Sequence, residues 1–182
     1  MEGIAARFGV SAIPDVVSIT PGFWGLLRMG DGDEKERIKL IASGVPATDL
    51  VEMEATSEMS QERIDWLTIR TEEVLRKLAG IWIEKKRPKL IWRPLHHILN
   101  DTRIPNHRIR IYNSIGERIV ERLREEPASS RVKFSIDSWT RIMLGQEEHF
   151  VDPIHPAALP GSWVYWQSVL LQLKIQVSVE MT

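Results

Sequence analysis

One stretch near the carboxyl end limits the possible folds more than any other. Val169, Leu171, Leu173, Ile175, Val177, Val179 and Met181 interleave with Gln172, Lys174, Gln176, Ser178 and Glu180 at a period of two. Successive side chains of a strand point to opposite faces, so this alternation predicts a long strand with one buried and one wet face. A sheet wetted on one side is antiparallel, because parallel sheets are covered on both faces by their crossover helices. Val132, Phe134 and Ile136 alternate with Lys133 and Ser135 in the same way. From Val16 to Ala42 the pattern reads as a hairpin: Phe23 to Met29 is apolar, Gly30-Asp31-Gly32-Asp33 has turn chemistry, and Ile38, Leu40 and Ala42 alternate. Leu50 to Ala55 adds a short strand.

Helices are fewer in this reading. Between Ser60 and Ile83, residues Ile64, Leu67, Val74, Leu75, Leu78 and Trp82 recur at spacings of three and four, which draws one apolar stripe along a helix. Thr71-Glu72-Glu73 can also cap a fresh helix, which would leave Arg63 to Arg70 as a strand. Pro94 suits the first turn of a short helix over Leu95, Ile98 and Leu99, and Pro105 stops it. Ser114-Ile115-Gly116-Glu117 is a capping box, followed by Ile119, Val120 and Leu123 and closed before Pro127. Gln146 to Gly161, with Pro153, Pro156 and Pro160, has neither period and reads as a loop. The expected fold is α+β, a single domain over residues 1–182, with a mainly antiparallel sheet and two to four helices packed on it.

At 182 residues, 43% apolar and 27% charged, the chain can bury one core. It has no cysteine, which excludes disulfides, thiolate metal sites and cysteine nucleophiles. No run of about 18 apolar residues occurs, so no transmembrane segment is expected. With no signal-type apolar run near Met1, a cytoplasmic setting is expected. The net charge of -1 conceals a basic middle: residues 84–110 carry eight basic and two acidic side chains. Five of those cations, Lys85, Lys86, Arg87, Lys89 and Arg93, surround Pro88 and Trp92, and Arg103, Arg108 and Arg110 follow. Such a group can meet phosphates or an anionic membrane surface, with tryptophan available to stack on bases. Aromatics at Trp92, Trp163, Tyr165 and Trp166 are candidate interface residues, since large rings bury much area for little rotamer entropy.

The chain has no phosphate-binding glycine loop, no nucleophile elbow and no helical zinc motif. His96, His97, Asp101 and His107 are the residues that a metal-dependent hydrolase would use, but their spacing matches no recognised ligand pattern, and no metal or cofactor is assigned. Asp31 and Asp33 lack the later glycine and glutamate of a calcium loop. His149, Asp152 and His155 form a second polar group, in the proline-rich loop, and receive no role.

A strand at Arg63 to Arg70, a helix from Thr71 through Trp82, the Lys86-Arg87-Pro88 turn and then Leu95 to Leu99 together resemble part of the matrix proteins of rhabdoviruses. The resemblance covers about a quarter of the chain and rests on element order. It implies self-association, contact with an anionic membrane and condensation of a ribonucleoprotein, in a cytoplasmic or virion setting. The chain departs from that pattern in its near-neutral charge and its lack of a proline-tyrosine motif. The expectation is therefore a non-enzymatic structural or assembly protein, possessing itself and a polyanion (nucleic acid, ribonucleoprotein or anionic membrane) as partners. A nucleic-acid-binding regulator is the alternative, and a metal-dependent hydrolase the second.

Overall fold

The structure is a computed structural model that describes residues 16–20, 22–50, 59–81, 88–99, 104–126, 132–152, 154–162, 164–165 and 167–171. Its sheet has three strands in the order β1 (Val16–Ile19), β2 (Lys89–Trp92), β3 (Lys133–Ile136). Both pairings are parallel, and Ile19, Trp92 and Ile136 lie level across the ladder. The expected mainly antiparallel sheet is thus overturned. Parallel neighbours need crossover connections. Here α1 (Phe23–Ala42) and α2 (Gln61–Ile81) lie between β1 and β2, and α3 (Asn106–Glu125) lies between β2 and β3.

The hairpin expected over residues 16–42 does not form. Only Val16–Ile19 is strand, and Gly30-Asp31-Gly32-Asp33 falls inside a 20-residue helix. Tertiary contacts hold that helix against its three glycines, Gly25, Gly30 and Gly32. Leu26 is fully buried, Phe23, Leu27 and Met29 pack against the core, and Asp33 pairs with Arg63 on α2 and Arg108 on α3. The entry to α1 is pinned too: Gly22 has φ +112, and a side chain there would overlap the Tyr112 ring of α3.

The helical reading of Ser60 to Ile83 agrees with α2 over its described length, and Thr71 is a buried interior residue of α2, not a cap. The capping box at Ser114 lies within α3, which starts eight residues earlier and buries Ile109, Tyr112, Ile115, Gly116, Ile119, Val120 and Leu123 along one face. It packs tightly against the sheet at Gly116, where a Cβ would overlap the Trp92 indole. In β2, Leu90, Ile91 and Trp92 are all buried, so both faces of the central strand are covered. That continuous apolar run is the signature of a parallel strand, and the period-two template does not detect it.

Beyond β3 come the short helix α4 (Trp139–Ile142), one 3-10 turn at Glu147–His149, and a helical segment at 164–165 and 167–171. The long terminal strand fails where it can be seen. Ser168 and Val169 are buried and Leu170 and Leu171 exposed, two in and two out, which is helical and not alternating. The remainder of that expected strand, 172–182, and most of the one at 50–55 lie outside the described residues. Residues 93–98 have no regular secondary structure, so the helix expected after Pro94 does not form. No helix among the described residues is long and apolar enough to cross a membrane.

Candidate functional site

In a parallel sheet all strands end on one side, and the loops leaving those ends are where ligands bind in open α/β folds. The ladder extends one step past the strands: the Arg93 amide donates to the Ile19 carbonyl at 2.9 Å and the Asp137 amide to the Trp92 carbonyl at 2.8 Å. Arg93 and Asp137 are thereby neighbours, and Arg93 Nε donates to Asp137 Oδ2 at 3.2 Å. The Asp137 side chain is fully buried and also accepts from Ser168 Oγ and the Trp139 amide. The Arg93 guanidinium lies 3.4 Å from the centre of the Tyr165 ring, and Tyr165 meets Trp139 edge to face. Burial pushes the Arg93 pKa down against the opposing charges of Tyr165 and Asp137. This cluster ties Tyr165 and Ser168 to the carboxyl end of the sheet.

The loop after β2 is held by two side-chain amides, two turns apart on α3. Asn113 accepts from the Leu95 amide and donates to its carbonyl, both at 2.7 Å. Asn106 does the same for Ile98, at 3.1 and 2.9 Å. Each mimics a strand neighbour. Thr140 Oγ1 adds a bond to the Pro94 carbonyl at 2.7 Å. Between these fixed points sits His96. Its Nε2 faces the Ile154 carbonyl at 2.6 Å, and because a carbonyl only accepts, that nitrogen carries the proton. Burial pulls the His96 pKa below the usual imidazole range, opposed by the Ile154 bond and reinforced by the charges of His155, Arg93 and His97.

Ile154 belongs to a compact loop. Phe150 bridges Pro156, the Val151 amide donates to the His155 carbonyl at 2.9 Å, and the Ala157 amide donates to the His149 carbonyl at 2.6 Å. At its tip Asp152 Oδ1 accepts from the amides of Ile154 and His155, both at 2.8 Å, and Oδ2 accepts a hydrogen bond from His155 Nδ1 at 2.8 Å. The Ile154 amide, the His155 ring and the His155 amide together hold the Asp152 carboxyl down at about 2. His155 is 70% exposed and its Nε2 takes no hydrogen bond from the described residues. The carboxylate fixes one ring nitrogen and leaves the other facing solvent, the arrangement of a general base with its orienting group.

The expected site residues are dispersed. Lys85, Lys86, Arg87, Arg103, Trp163 and Trp166 lie outside the described residues. Lys89 and Arg93 stand at opposite ends of β2, about 13 Å apart by strand rise. Lys89 is half-buried, and burial, with Arg124 and Lys133 nearby, lowers its pKa. Arg108 is buried against Asp33, and Arg110 is exposed on α3. Trp92, expected at an interface, is 1% exposed in the core, while Tyr165 covers Arg93. Of the proposed metal group, Asp101 is outside the described residues and His97 meets Asn106. No three potential ligands among the described residues are placed to hold a metal. The Asp152–His155 pair was in view as residue types at a spacing of three, and what the sequence lacked was the parallel sheet that aims it. Comparison with protein-family models, curated proteins and solved structures returned no match.

Proposed function

We propose that the chain is a hydrolytic enzyme in which His155 is the general base and Asp152 its orienting carboxylate. One observation carries the reading: the 2.8 Å bond from His155 Nδ1 to an Asp152 carboxylate that backbone amides keep ionised, on a loop bonded to the carboxyl end of a parallel sheet. His155 Nε2 takes the proton of an attacking hydroxyl, from water or an alcohol side chain, as that oxygen bonds to the substrate. Asp152 stabilises the imidazolium, which then returns the proton to the leaving group. The test is hydrolysis of p-nitrophenyl acetate and bis-p-nitrophenyl phosphate by the wild type, His155→Ala and Asp152→Asn. Positioned acid–base catalysis contributes about 10²- to 10⁴-fold, so both variants should lose rate on that scale. A wild type inert to both probes, or a His155→Ala variant at full rate, would sink the reading.

A second reading, the non-enzymatic assembly protein, is supported by exposed apolar side chains on two adjacent helices. Trp24 is 77% exposed, Trp66 51% and Ile69 60%. A Cβ at Gly25, next to Trp24, would lie 3.8 Å from the Trp66 ring, so α1 and α2 present these residues together. In that reading a polyanion would be the further partner, with Arg110 as the exposed described cation of the basic segment.

A further inference from the structure

The bonds within residues 149–157 fix how Asp152 and His155 face each other, but they do not fix where the pair stands. The Asp152 carboxylate closes on amides two and three residues ahead, and the remaining bonds tie one side of the loop to the other. Such a loop can swing as a unit without breaking any of them. Among the described residues, the hydrogen bond that joins it to the sheet is the one from His96 to the Ile154 carbonyl. The His96 ring also packs against Phe150, with centroids 5.7 Å apart, so it touches the loop at two points on either side of Asp152.

His96 can locate another group only if it is itself immobile. Its neighbours Pro94, Leu95 and Ile98 are buried, and Asn113, Asn106 and Thr140 bond the backbone on both sides of it. The backbone bonds of β2 end one residue beyond Trp92, and the amides of α3 take over from there. A chain of short contacts thus runs from α3 through Leu95 to His96, then to Ile154 and the dyad. From this geometry we infer that His96 is the positioning residue of the Asp152–His155 pair, holding its loop in one place over the carboxyl end of the sheet. It acts through Ile154 and Phe150 and does not touch the reacting atoms. The inference rests on the reading of His155 as a base for its catalytic consequence, but its structural content stands apart from that reading.

Because the chain has no cysteine, two introduced ones can carry spin labels without background. Val151→Cys in the loop and Glu121→Cys on α3 are both exposed positions. The distance distribution between them is measured by pulsed electron resonance in otherwise wild-type protein, His96→Gln, His96→Phe and His96→Ala. A single narrow distance is expected for wild type and for His96→Gln, whose amide can still donate to Ile154. His96→Phe and His96→Ala should broaden or shift it, with far-ultraviolet dichroism unchanged; the smaller alanine serves if phenylalanine prevents folding. An unchanged narrow distance in both non-donor variants, or a broad one in the wild type, overturns the proposal. On whichever ester or phosphodiester probe the wild type turns over, kcat should fall at least tenfold in the non-donor variants with KM little changed, and recover in His96→Gln. If the distances behave as stated and neither probe is hydrolysed, His155 is not the base proposed and the positioning role stands.

Discussion

Gly32 sits in the interior of α1 with open space where a Cβ would project. Alanine there should raise stability by about 1 kcal/mol, the helix-propensity difference. In a chain of this size, that is roughly 2–4 °C in a thermal melt. Had the residue occupied a turn with positive φ, the same change would lower the melting temperature, so one measurement separates a helix from a hairpin. Gly116 behaves in the opposite way. A methyl group there meets the Trp92 indole, and moving a fully buried ring or backing α3 off the sheet should cost about 1–3 kcal/mol, read as a lower urea midpoint. The two glycines look alike in the sequence and differ only in what lies beyond them.

Asp33 joins three elements, because its carboxylate bonds Arg63 of α2 at 2.5 and 3.0 Å and Arg108 of α3 at 2.6 Å. Burial raises its pKa, but the Arg63 and Arg108 hydrogen bonds and charges outweigh that and hold it below the ordinary 3.8. A depressed acid stabilises the fold above its unfolded pKa, and that contribution is lost as pH falls below 3.8 towards the folded value. Asp33→Asn should therefore be less stable than the wild type at pH 7, and the gap should narrow on acidification; urea midpoints at pH 7, 4 and 3 measure it. A gap that stays constant with pH would show that the carboxylate's charge is not what couples the helices. This ion cluster also explains what the sequence could and could not reveal. Where an element carries its own stripe, as α2 and the second half of α3 do, spacing alone located it. Where long-range partners sustain it, as Asp33 does for α1, the local pattern points to a hairpin instead. The parallel sheet was missed for a related reason: Leu90, Ile91 and Trp92 are buried on both faces, so nothing alternates. The Asp152–His155 pair was visible as letters, but its value depends on the end of the sheet at which the chain delivers it.

At the scale of the whole molecule, Trp24, Trp66 and Ile69 leave an apolar area on α1 and α2 that a lone copy keeps in water. If self-association uses that face, light scattering behind a sizing column should show mass rising with concentration, and Trp24→Lys combined with Trp66→Lys should return it to the monomer value. Oligomers that survive both substitutions place the contact elsewhere. A different property follows from the paired amides of Asn106 and Asn113. Leu95 and Ile98 are outside the three described strands, yet their backbone protons are bonded to side chains rooted in α3, which buries one face against the core. In deuterated water these two loop protons should exchange as slowly as those of α3, opening only when that helix opens, so the clock that times their loss would report the persistence of α3 from a position beyond the end of the sheet.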